Sequence, residues 1–147
     1  MNNGDIFRAA LGRLSRGVNE FRIFALGEAF DIDAYLATTQ LQFDGAWRKG
    51  EAGNDHPKSN GIAKVLGDGQ QIAWIDQETI AIEYLSANRD ALRALAEYPG
   101  VTTFKLGLQY NFPLQANCMG PSAELMWHLL DTGIDLNFYV VLDRTQD

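Results

Sequence analysis

Chemistry is most legible in residues 47–61, WRKGEAGNDHPKSNG, where Trp47, Arg48, Lys49, Glu51, Asp55, His56 and Lys58 crowd together. Arg48 and Lys49 have the donors to grip a phosphate or carboxylate, Trp47 has a face on which a base or sugar stacks, and His56 titrates near neutral pH. The order of residues matches no phosphate loop, since the run Gly-x-x-x-x-Gly-Lys-Ser/Thr is missing. Charged residues set among Gly, Asn, Asp, Pro and Ser usually face water in a connector. The segment is therefore expected to be a contact surface or a plain tether, with Trp47 anchoring it to the core.

Other chemistries have thinner support. Two His and one Cys (His56, His128 and Cys118) lie far apart in the chain, with neither Cys-x-x-Cys nor His-Glu-x-x-His, so no metal or cofactor site is expected. Asp31 and Asp33 could flank a divalent ion, but a helix start explains the same carboxylates. Cys118 sits before a helix whose dipole could activate a thiol, yet His128 falls six residues after Ser122 and reads as an ordinary helix histidine. No catalytic residue is assigned. Among the aromatics, Trp74, Trp127 and Tyr139 are expected mostly in the core, while Phe112, beside Pro113 in the loop NFPLQANCMGP, is expected to project and bind.

The elements that would carry these residues follow from periodicity. Ile6, Phe7, Ala10, Leu11 and Leu14 form one face of a short helix within residues 1–18, with Arg8, Arg13 and Arg16 mostly elsewhere and Gly17 as a stop. Such a basic helix is expected to pack on its own domain and not on a membrane. NEFRIFALG alternates apolar residues on both faces, so it reads as a central strand. DIDAYLATTQL follows as a helix capped by Asp31 or Asp33. GIAKVLGDGQQIAWID predicts a hairpin turning at Gly67, Asp68 and Gly69. Residues 76–97 predict one helix, in which only residues 79–85 compete as a strand, and VTTFKLGLQYNF is a strand after the Pro99-Gly100 break. Ser122 opens a last helix with Leu125, Met126, Leu129 and Leu130 as its stripe; Gly133 closes it before a strand from Ile134 to Leu142. The order predicts one α+β domain over residues 1–147: a ferredoxin-like βαββαβ core with a mostly antiparallel sheet, an N-terminal helix, and an extra C-terminal helix and strand.

Composition bounds what that domain does. At 147 residues, 46% hydrophobic and 21% charged, the chain is that of an ordinary globular domain with enough core to fold. It has no internal repeat, and no apolar run reaches the roughly 20 residues needed to cross a bilayer. With no leader pattern at its start and a lone cysteine, it is expected in the cytoplasm. The net charge of −7 is uneven: four Arg stand against two acids in residues 1–22, and five acids against Arg144 in residues 124–147. That balance argues against nucleic acid, which needs a basic face, and suits a basic protein partner.

FRIFALG, DIDAYLATTQL, WRKGE, the helix before VTTFKLGLQYN, and SAELMWHLLDTGIDLNFYV together resemble a bacterial family known as domain of unknown function 4279, over about residues 20–142. Where that family usually carries Pro-Thr before its Lys-Gly pair, this chain has Asp44, Gly45 and Ala46. The resemblance implies no reaction; it points to immunity proteins that neutralise toxins. The expectation is thus a non-catalytic bacterial interaction protein, with an immunity protein as its specific form. The alternative is an anion- or small-molecule-binding protein or enzyme using the loop at residues 47–58. Pairing of two copies through the Ile134–Leu142 edge strand is a third expectation.

Overall fold

A computed structural model describes residues 20–51, 58–66, 74–113 and 121–143. The expected N-terminal helix and the Gly67–Gly69 turn lie outside these residues, as do His56 and Cys118. The chain runs β1 (Glu20–Gly27), α1 (Ile32–Leu36), β2 (Gly45–Trp47), β3 (Asn60–Val65), α2 (Trp74–Ala87), α3 (Arg89–Ala96), β4 (Thr103–Pro113), α4 (Ala123–Thr132) and β5 (Asp135–Asp143). It is a mixed α+β fold whose open sheet has the order β2-β3-β1-β4-β5. Every neighbouring pair is antiparallel except β4 and β5.

The two-sided apolar pattern of β1 explains its central place between β3 and β4. Ala25 lies opposite Ile62 on one side and Phe104 on the other, and Ile23 lies opposite Leu106. These five side chains are buried and meet Leu85, Leu92, Leu95, Leu125 and Leu129 from the helices in one core. Phe30, Tyr35 and Tyr98 extend it as an aromatic group, with ring centres 4.9 to 5.8 Å apart and tilted or edge-on contacts.

Two expectations are corrected. The run expected as the hairpin's second strand has become helix by Trp74, and β3 pairs with β1 and with the short β2. The alternation in QQIAWID is brief, whereas Glu78, Ala81 and Leu85 form a buried helical row that recruits the residues ahead of it. The same row decides residues 79–85: a strand would have placed Ile80 with Ile82 and Tyr84 on one face, but Ile80 is exposed. The single helix of residues 76–97 is two, broken at Asn88, whose Nδ2 donates to the Tyr84 carbonyl at 2.9 Å. The open sheet is mostly antiparallel and carries a fifth strand beside β4, in keeping with the expected α+β class and its added C-terminal helix and strand.

α2 and α4 lie side by side and run the same way. Near their starts, the buried Glu78 carboxylate accepts from the Ser122 N–H at 3.2 and 3.3 Å; near their ends, Arg89 Nη2, just past α2, donates to Asp131 Oδ1 at 3.1 Å. Ser122 caps α4 by accepting from the Leu125 N–H at 3.1 Å, and Gly133 ends it at φ 75°. Glu78→Ala strips the half-buried Ser122 N–H of its acceptor, and is expected to lower stability by about 1–3 kcal/mol in urea denaturation. Glu78→Gln, which keeps an acceptor oxygen, is expected to lose less.

Candidate functional site

The residues proposed from sequence fall into two groups. Trp47 ends β2 opposite Gly61, and its half-buried indole lies across that glycine so closely that any Cβ there would strike the ring. The tryptophan is thus held against β3 at Gly61. Arg48 to Glu51 then form a tight turn: the Glu51 N–H donates to the Arg48 carbonyl at 3.0 Å, the Glu51 carboxylate accepts from the Arg48 N–H at 2.9 Å, and Gly50 takes φ 80°.

This turn is sewn to the loop that follows β1 and to the first turn of α1. Arg48 Nη2 donates to Asp33 Oδ1 at 2.6 Å, and Lys49 Nζ to Glu28 Oε1 at 2.9 Å. Asn60 completes the seam, accepting from the Lys49 N–H at 2.8 Å and donating to the Phe30 carbonyl at 3.1 Å. Between the two loops lies a shallow concavity of about 340 Å³, whose charged lining is Glu28, Asp31, Asp33 and Arg48. Asp31 caps α1 by accepting from the Ala34 N–H at 3.0 Å. Three carboxylates against one guanidinium make a poor anion cradle, and both cations proposed to hold an anion already face acids of the same chain.

The remaining proposed residues do not join this cluster. His56 lies outside the described residues. Phe112, expected in a projecting loop, is instead within β4, its backbone in register with Leu142 of β5. No group of three or more His, Cys, Asp or Glu among the described residues is arranged to hold a metal ion. His128 is half-buried on α4 with its ring edge-on to Trp127, the centres 4.9 Å apart.

The ion pairs carry a pH signature. Hydrogen bonding to Arg48 and then its charge hold the Asp33 carboxyl below its ordinary value, and Lys49 does the same for Glu28. A depressed carboxylate stabilises the fold above its unfolded-state pKa, and that contribution disappears as pH falls through the folded value. Both acids are exposed, so the contribution is small and salt-sensitive. In Arg48→Ala, the Asp33 carboxyl is expected to titrate back near 3.8, read by carbon NMR. An unchanged titration would show that the 2.6 Å contact does not persist in solution.

Among the described residues, the most exposed apolar surface is one that the sequence pattern does not single out. Leu125 and Leu129 of α4 enter the core, but Met126, Trp127 and Leu130 are 52%, 59% and 82% exposed. With exposed Ala123 they fall at i, i+3, i+4 and i+7, one outward face two turns long. Expecting Met126 and Leu130 in the buried stripe, and Trp127 in the core, merged two faces into one. The available signal was that AELMWHLLDT is apolar on both sides, more than a helix packed on one layer needs. On α2, Ile80 is a further exposed apolar side chain.

No helix among the described residues is long and apolar enough to cross a membrane. Against known proteins, no family model matches this chain, and neither the curated proteins nor the solved structures hold a detectable match.

Proposed function

We propose that this chain is a non-catalytic interaction domain that binds a partner protein over the outer face of α4. The observation that carries the proposal is the row Met126, Trp127 and Leu130, three large apolar side chains more than half exposed on one helix face. Large contiguous apolar patches on a folded surface mark contact sites, and tryptophan leads the residue types that dominate binding energy. The net charge of −7 favours a basic partner, drawn in by long-range attraction. A bacterial immunity protein that covers a toxin in the cytoplasm is the specific form of this reading. The resemblance to domain of unknown function 4279 and a ferredoxin-like core, made of β1 to β4 with α4 and β5 appended, belong to the same proposal.

Calorimetric titration with the product of the adjacent reading frame, in rising salt, tests it. Binding is expected to weaken as salt rises and to be lost in Leu130→Lys; binding that ignores α4 substitutions would refute the assignment. Anion or small-molecule binding at the turn of residues 48–51 has less support, since Arg48 and Lys49 are engaged by Asp33 and Glu28. Pairing of two copies is favoured by one feature: β5 is nine residues long and outermost in the sheet. Light scattering that finds only monomer at high concentration would remove it.

A further inference from the structure

The charges around α4 identify the chemistry of what covers it. α2 and α4, side by side, contain no lysine or arginine and five acids. Two of the acids have structural partners: Glu78 is buried against the Ser122 N–H, and Asp131 is held by Arg89. The other three, Asp76, Glu83 and Glu124, are exposed. Asp76 and Glu83 stand four residues before and three after Ile80, on the same face of α2. Glu124 is in the first turn of α4, beside the row begun by Ala123. Among the described residues, the nearby cations belong to α3: Arg89, engaged by Asp131, and Arg93, whose charge also reaches Asp131, both at the far end of α4.

The shape of the surface selects a helix. A strand docks by adding to a sheet edge through backbone hydrogen bonds, and the outer side of a helix offers none. A ridge of side chains at i, i+3, i+4 and i+7 interlocks instead with the grooves of another helix, at about 8–10 Å between axes. Resting on the docking reading above, we infer that the occupant of this face is a cationic amphipathic helix of a partner protein. Its apolar side covers Met126, Trp127 and Leu130, and its lysines or arginines lie over Glu124, Asp76 and Glu83.

Three synthetic probes decide the matter on the full chain: a leucine–lysine amphipathic helix, the same helix with glutamine for lysine, and the same with glutamate. Binding is followed by tryptophan fluorescence, with Trp127→Phe marking the responding residue, and by NMR shifts on α4. The lysine helix is expected to bind at least about tenfold more tightly than the glutamine helix at low salt. That gap is expected to close as salt screens it. Leu130→Lys, checked by circular dichroism to be folded, is expected to lose the lysine helix. Equal binding of lysine and glutamine helices at α4 would overturn the cationic assignment and leave the docking face standing. Failure of all three probes, or undiminished binding of the lysine helix to Leu130→Lys, would overturn both.

Discussion

Gly27→Ala and Gly100→Ala are each expected to destabilise the domain by about 2–6 kcal/mol, a large share of the 5–15 kcal/mol that holds such a fold together. The end of β1 crosses the segment leading into β4 at backbone contact: a Cβ on Gly27 would overlap the Gly100 carbonyl, and one on Gly100 would overlap the Ala29 carbonyl. Neither obstacle is the tip of a side chain that could swing away. Gly100 also sits at φ 89°, a region costly for any residue with a Cβ. The crossing is fastened on both sides, since the Leu26 carbonyl accepts from the Thr102 N–H at 3.0 Å and the Tyr98 carbonyl from the Val101 N–H at 3.1 Å. Gly45→Ala is the control, because nothing lies within 4 Å of a Cβ there. Urea denaturation of the three variants checks the expectation, and a Gly27→Ala protein as stable as Gly45→Ala would refute it.

A second large effect is expected on binding, with almost none on folding. The double variant Trp127→Ser, Leu130→Lys alters side chains that are 59% and 82% exposed, so stability is expected to stay within about 0.5 kcal/mol of the parent. Partner affinity is expected to fall by about 2–4 kcal/mol, roughly 30- to 1000-fold, because truncating a central aromatic anchor removes most of what it contributes. Leu129→Ala, one residue from the exposed row but 3% exposed, is expected to do the opposite and cost about 2–5 kcal/mol of stability. Denaturation and titration calorimetry on the same preparations separate the two effects. Equal losses of stability in both variants would mean that Trp127 and Leu130 are core residues in solution.

Local signals make much of this fold legible in the sequence. The alternation in NEFRIFALG placed β1 in the middle of the sheet, and Ser122 and Gly133 bounded α4 where they were expected. What was misread turned on partners distant in sequence. The β2–β3 pairing has no tight-turn signature, so the sequence reads Gly45–Trp47 as loop and the residues before Asp76 as a strand. In the candidate site, Arg48 and Lys49 were read as free donors because their acids stand 15 and 21 residues earlier, beyond any motif's reach. α4 failed for another reason: its leucines and aromatics satisfy a core stripe and a surface stripe together, and periodicity alone does not say which faces solvent.

The register of β1 constrains how the chain is made. Phe24 finds Ala63 on one side, but on the other it must await Lys105, and β5 joins only after β4 is in place. During synthesis the central strand therefore waits with one flank bare until β4 emerges, a template for stray pairing. Nascent chains stalled before β4 emerges are expected to need a chaperone's shelter that the finished protein does not.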